Sequence, residues 1–234
     1  MDLPGVFRRS AYMHHTSTSP PAGSHSGGRL RILTYNVHRC LGRDGRHAPE
    51  RIARLIAGTG AQVVALQELD VNRMRSGDVD QALAIASLLR MRHHFHPAMR
   101  VVEELYGDAV LTLLPLRLVK AGPLPRVATR LPTEPRGALW VEVDVDGIPV
   151  QIVNAHLGLF PAERRAQAEA LLGADWLGHP QCRDPAILLG DFNARPSSRA
   201  YGLLRHALND ASGRDGTRAK ATFPSRWPLL RIDH

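Results

Sequence analysis

Cysteine is almost missing from this chain of 234 residues, which has only Cys40 and Cys182. Two cysteines without metal-type spacing argue against a disulfide framework and leave both as free thiols. Long apolar runs are missing as well. None approaches the roughly 20 residues that span a bilayer, and the N-terminus has no apolar stretch of the secretory kind. A cytoplasmic protein with no transmembrane segment is therefore expected. Aromatic residues make up only 5% and nowhere interleave with a dense basic run, so no large DNA-reading loop stands out. Acidic residues are outnumbered, 22 against 30 Lys and Arg, for a formal charge of +8. That balance favours anionic ligands such as phosphates without singling out nucleic acid.

Residues 1–28 are rich in Ser, Pro, Gly and His. Such a composition cannot bury enough surface to offset the entropy of ordering, so a flexible tail is expected there. Order is expected from Arg29 onward, as one domain over 29–234. RLRILTYNV reads as a strand ending at Asn36. Pro49 then opens a helix stopped by Gly58 and Gly60. AQVVALQELD is an apolar run too short for a separate helix, and is expected to be a buried strand ending in Glu68. VDQALAIASLLRM reads as a helix, and strands are expected in HHFHPAM and GDAVLTLLPL. Two alternating runs around Asp146-Gly147 form a hairpin. PAERRAQAEALLGADWL reads as a helix, PAILL as a buried strand and SSRAYGLLRHAL as a short helix. Strands, hairpins and helices in this order imply helices covering the outer faces of packed sheets.

The polar residues fall in a telling place. Asn36, Glu68, His156, Asp191 and Asn193 each lie at or just after the end of an apolar strand. Strand ends in layered α/β proteins converge on one rim, where ligands commonly bind. Carboxylates and amides meeting there suit a hard cation such as Mg²⁺, which takes oxygen ligands and keeps several waters. A histidine among them can move a proton or stabilise a charged phosphate oxygen.

TYNVH (34–38), LQELD (66–70), NAHLGL (154–159), GDFNARP (190–196) and RIDH (231–234) together resemble the ordered motifs of the endonuclease/exonuclease/phosphatase superfamily. The resemblance covers residues 29–234. It implies an α/β (α+β) fold, a four-layered α/β sandwich of two packed mixed β-sheets flanked by helices. It also implies a phosphodiesterase or phosphatase dependent on Mg²⁺, with Mn²⁺ as an alternative. Glu68 would be the principal metal ligand, with Asn36 beside it holding the ion's water or the phosphate. His156 would contact the scissile phosphate, Asp191 would orient or deprotonate the attacking water, and Asn193 would bind a non-bridging oxygen. Asp233 would join the His-supporting, metal-side network. Tyr106-Gly107-Asp108 resembles a segment near the substrate groove, with Asp108 where relatives often place Asn.

That family carries a further Ser-Asp-His motif beyond the position that RIDH resembles. The resemblance therefore implies a domain that is C-terminally incomplete, lacking a strand or two and the terminal catalytic His. Three readings stay open at this point: a general phosphoesterase, a nuclease acting on DNA, and a phosphate-binding member without turnover. Asp44 and His47, in the loop after the first strand, are left without a role. His94 and His96 would share a strand face, with no third zinc ligand at a recognisable spacing. Nothing in the sequence fixes the oligomeric state.

Overall fold

The computed structural model describes residues 29–128, 132–212 and 219–234. The tail expected over 1–28 lies outside the described residues. Two four-stranded sheets form the centre. In the first, β1 (Ile32–Asn36), β2 (Val63–Val71), β3 (Arg92–Val101) and β4 (Glu104–Thr112) lie in the order β1-β2-β4-β3. In the second, β5 (Leu116–Pro123), β6 (Gly137–Val145), β7 (Ile148–Ala155) and β8 (Ala186–Leu189) lie in sequence order. Each sheet is mixed. β1 runs parallel to β2 and β7 parallel to β8, while the remaining pairs are antiparallel.

Strand alternation explains the layering. In β2, Val63 and Ala65 face the second sheet and pack with Val110, Leu139, Val141 and Ile152. Val64, Leu66 and Leu69 point the other way, onto Ile52 and Ile56 of α1 (Pro49–Thr59) and Ile85 of α2 (Gln81–Leu89). In the second sheet Ala138, Trp140 and Val153 turn outward onto Ala168 and Leu171 of α3 (Pro161–Leu172) and Leu204 of α4 (Arg199–Ala207). With both faces of each sheet buried, the strands read as near-continuous apolar runs. The result is the expected four-layered sandwich, helix on sheet on sheet on helix.

Local signals set the helix ends. Pro49 and Pro161 open α1 and α3, where a missing N–H costs nothing. The Asp80 and Ser198 side chains cap α2 and α4 by accepting from Leu83 N and Tyr201 N. Gly60, at φ 64°, closes α1. Two boundaries differ from expectation. α3 stops at Leu172 because the chain turns extended at Gly173, although Trp176 is buried beyond it. β2 does not end at Glu68 but continues to Val71 through a β-bulge.

Beneath the bulge the sheets are joined by buried amides. Asn154 of β7 donates its Nδ2 to the carbonyls of Leu66 and Ala109, both at 3.0 Å, and accepts from Gln67 Nε2 at 2.8 Å. Asn154 and Gln67 have no exposed surface. Asn154→Ala would remove a buried donor from two carbonyls and an acceptor from the Gln67 amide, which keeps only its bonds to Thr34 Oγ1 and Ala65 O. It is expected to lower stability by about 2–4 kcal/mol, read from the urea midpoint at unchanged slope.

Candidate active site

The C-terminal ends of both parallel strand pairs meet on one rim. β1 ends in Asn36, β7 leads into His156, and β8 leads through Gly190 into Asp191 and Asn193. Gly190 is required here. Its φ is 141°, and a Cβ would sit 1.9 Å from the Ala155 carbonyl oxygen, so only glycine lets the chain turn so close to β7.

Glu68 reaches the rim by a different route. Leu66 pairs with Ala109 and Leu69 with Gly107, so Gln67 and Glu68 together face Asp108. The extra residue takes a φ of 62° at Glu68 and re-aims its side chain, as bulges beside functional sites do. The Glu68 N–H faces Asp108 Oδ1 at 3.4 Å.

Asn36 joins the two sheets' carboxylates. Its Nδ2 donates to Glu68 Oε1 at 2.7 Å and to Asp191 Oδ2 at 3.0 Å, and its Oδ1 accepts from His38 N at 3.0 Å. His38 Nδ1 lies 3.0 Å from the other Glu68 oxygen. Asp191 Oδ1 accepts from the Asn193 N–H at 2.8 Å. His156 Nε2 lies 3.1 Å from Asn193 Nδ2 and 3.8 Å from Asp191 Oδ2. Asn193 Nδ2 also donates to Leu157 O at 2.9 Å. Behind the imidazole, Arg136 Nη1 is 3.2 Å from His156 Nδ1.

Asp233 enters through backbone pairing. Ile232–His234 runs antiparallel beside 190–192, with Asp233 opposite Asp191. Its neighbour His234 turns to the other side, where Nε2 donates to Ala194 O at 2.9 Å and the ring stacks on Phe192. All six expected residues are thus brought together, and His234 is not among them. Asp44 and His47 stay in their loop: Asp44 pairs with Arg51 at 2.8 Å, and His47 Nδ1 bonds Arg39 O at 2.7 Å.

Two neighbours escaped the sequence reading. His38 sits inside TYNVH, but its motif gave it no role. Arg136 precedes β6 in RGALW, with only an isolated arginine before an apolar strand to mark it.

The electrostatics follow from burial. Asp108 is pushed up to about 7, first by desolvation and then by the Glu68 and Asp191 charges, against the pull of Arg136. Asp191 is pushed up to about 6 by desolvation and by Asp233. Asp233 is itself raised, again by burial first. For Glu68, burial pushes upward, but the Asn36 bond and the facing imidazoles outweigh it and hold the carboxyl below its usual range. His156 is pushed down to about 3 by burial and by the adjoining guanidinium.

Four acids therefore crowd one buried rim, and repulsion among them opposes their ionisation. That excess of negative charge suits a divalent cation. Among the described residues no three His, Cys, Asp or Glu side chains group as an all-protein cage. A Mg²⁺ held by one or two protein groups and its own waters needs no such cage. The donor that fits is the Glu68 carboxylate, while Asn36 beside it turns its Nδ2 to Glu68 and its Oδ1 to the His38 N–H.

Comparison with known proteins agrees with this layout. A sequence model of the Endonuclease/Exonuclease/phosphatase family matches residues 33–234. An uncharacterized protein of Escherichia coli (strain K12), YbhP, is 30% identical over 216 residues, covering 87% of this chain and 83% of that protein. Among solved structures, an endonuclease/exonuclease/phosphatase from Beutenbergia cavernae superposes with a TM-score of 0.64 at 21% identity. That match covers 87% of this chain, which spans only 62% of that one. The human Nocturnin catalytic domain with bound sulfate anion superposes with a TM-score of 0.63 at 23% identity, covering 87% of this chain and 79% of that one. Motif order, four-layered fold and converging strand ends lead to one conclusion: the chain belongs to the Endonuclease/Exonuclease/phosphatase family.

Proposed function

We propose that this protein is a divalent-cation-dependent hydrolase of phosphate esters, acting as a phosphodiesterase or phosphatase. The observation that carries this reading is the Asn36 amide, which ties Glu68 of one sheet to Asp191 beside the other, next to His156 and Asn193. A proton acceptor, polar donors and a retained anion then share one rim. The sulfate in the Nocturnin structure is a tetrahedral oxyanion of the same class as the proposed ligand.

Asp191 is the acceptor of the attacking water's proton. Its two oxygens are fixed by Asn36 Nδ2 and the Asn193 N–H, so its orientation is set before substrate arrives. His156 Nε2 and the Asn193 amide stand where they can donate to phosphate oxygens as charge builds on them. A Mg²⁺ or Mn²⁺ ion held by Glu68, with Asn36 beside it to hold one of the ion's waters or the phosphate, would neutralise the ester's negative charge and stabilise the departing oxygen. Asp233 adds its charge beside Asp191 and keeps that carboxyl a stronger base. The free thiols Cys40 and Cys182 fit a cytoplasmic setting, and no helix among the described residues is long and apolar enough to cross a membrane.

A second reading, binding of phosphate without turnover, draws on His234, which faces Ala194 and Phe192 rather than the acids. Nuclease action on DNA is a narrower form of the first. Hydrolysis of bis(p-nitrophenyl) phosphate and nicking of a plasmid, each with Mg²⁺ or Mn²⁺ against chelator, separate the three. Turnover is expected to require the cation and to fall by about 10²-fold or more in both Asp191→Ala and Glu68→Ala. Turnover that survives either substitution or chelation would overturn the reading. Cation binding without turnover would favour the binding-only alternative.

The acid limb of the pH profile follows from Asp191. The base form is required, so activity is expected to fall as pH drops through the region of about 6. The Asp233 charge is the largest electrostatic contribution raising Asp191. Asp233→Asn removes it, which is expected to shift the limb to lower pH. Both profiles are measured at one cation concentration, since added positive charge lowers the limb in each.

A further inference from the structure

Arg136 is unusual among the residues around the rim. It is 5% exposed, and its Nη1 points at a ring nitrogen rather than at a carboxylate. Its Nη2 reaches Glu134 Oε2 at 3.3 Å, but that glutamate is largely exposed and solvated. Its Nε is buried with no hydrogen-bond partner among the described residues. The Asp108 carboxyl feels its charge from β4. A guanidinium has five N–H donors and no acceptor, and it keeps its proton in proteins. A hydrogen bond from Arg136 to His156 Nδ1 is therefore possible only if Nδ1 carries no proton. The ring's single proton must then sit on Nε2.

The other side of the ring poses a conflict. Asn193 Nδ2 lies 3.1 Å from Nε2 while also donating to Leu157 O. Two donors thus press on one imidazole, and a neutral imidazole can accept from only one of them. Arg136 is the charged donor, and charge-assisted hydrogen bonds are roughly twice as strong as neutral ones. Arg136 wins, and the Asn193 amide is left bonded to Leu157 O alone. Among the described residues the Nε2–H then has no close acceptor, since Asp191 Oδ2 is 3.8 Å away. It is a donor aimed at the rim and waiting for an oxygen.

We propose that Arg136 is a positioning residue that locks His156 as a neutral imidazole with its proton on Nε2, so that His156 serves as a neutral hydrogen-bond donor to a phosphate oxygen rather than as an imidazolium acid. The role of His156 toward phosphate rests on the function proposed above; the tautomer does not. The usual partner of a working histidine is a carboxylate or carbonyl, which fixes the proton on Nδ1 and stabilises the charged ring. A guanidinium in that place does the reverse on both counts. The charged and titratable groups facing His156 are Arg136, Glu68 and Asp191. Only the two acids favour the imidazolium.

The test reads the tautomer directly. Protein labelled with ¹⁵N-histidine gives long-range ¹H–¹⁵N correlations that distinguish Nε2–H, Nδ1–H and imidazolium, with His156 assigned by its loss in His156→Gln. The wild type is expected to show neutral Nε2–H from pH 5.5 to 8. Arg136→Lys keeps a cationic donor and is expected to keep that tautomer. Arg136→Met is expected to release it toward Nδ1–H or imidazolium, and to lower kcat for an activated phosphodiester by about 10²-fold with little change in KM. Nδ1–H or imidazolium in the wild type at pH 7 overturns the proposal, and so does an unchanged tautomer in Arg136→Met. Should Arg136→Met fail to fold, the wild-type and Arg136→Lys spectra decide the matter. A protein that shows the Nε2–H tautomer but hydrolyses no phosphate ester would refute the proposed function and leave the tautomer assignment standing.

Discussion

Everything at the rim depends on how the two sheets are held in register beneath it. An apolar interface alone would not fix that register, because Val, Leu and Ile side chains can slide past one another at little cost. Asn154 removes the freedom. It satisfies two carbonyls of the first sheet and accepts from Gln67, all without access to water. A shift of the sheets by one residue would leave several buried polar groups unpaired at once, each at a cost of about 1–3 kcal/mol. Gln67 is also the first residue of the β2 bulge. The same hydrogen bonds that lock the sheets therefore anchor the backbone distortion that sends Glu68 to the rim. Two residues beyond Asn154, just past the end of β7, stands His156, so the bridge and the site share their supports.

The bulge was the part of the architecture least visible in the sequence. LQELD reads as an unbroken apolar strand with a polar end, and periodicity has no means of registering one extra residue. Glu68 reaches the rim from a bulge inside β2 rather than from the strand terminus that its sequence suggests. The remaining positions were legible because their signals are local. Asn36 and Asp191 follow short β-rich runs, Asp146-Gly147 is a hairpin turn, and prolines open α1 and α3. Helices over packed sheets followed from the order of strands, hairpins and helices, and the four layers from the family resemblance. The apolar spacing of α3 continues to Trp176, but Gly173 ends the helix and leaves Trp176 to pack from a turn.

Arg136 and His38 could not be read in the same way. Each acts through a contact distant in sequence, Arg136 with His156 twenty positions on and His38 with Glu68 thirty positions on. An arginine beside a strand is ordinarily a solvated one, and nothing in RGALW distinguishes the buried case. Asp108 stood where an amide was expected, and the structure supplies a physical reason why an acid can stand there. Its carboxyl, pushed up to about 7, is in part protonated near neutral pH. In that form it offers one acceptor and one donor, as asparagine does.

One cause, desolvation, acts on every ionisable group of this rim, yet it leaves a pattern of charge rather than none. Burial raises Asp108, Asp191 and Asp233 and lowers His156, moving all four toward neutrality. Glu68 resists, because Asn36 and His38 occupy both its oxygens and hold it ionised. Arg136 resists because a guanidinium does not give up its proton. The rim therefore keeps a fixed anion at the β2 bulge and a fixed cation behind His156, with weakly charged groups between them. A phosphate ester with its cation has the complementary distribution: the positive ion belongs at Glu68, and the anionic oxygens belong on the side backed by Arg136. In a low-dielectric setting such a dipole orients its ligand before any bond changes. Between the poles, Asp108 and Asp191, pushed up to about 7 and about 6, can exchange protons near neutral pH, while His156 stays neutral and the poles themselves stay constant.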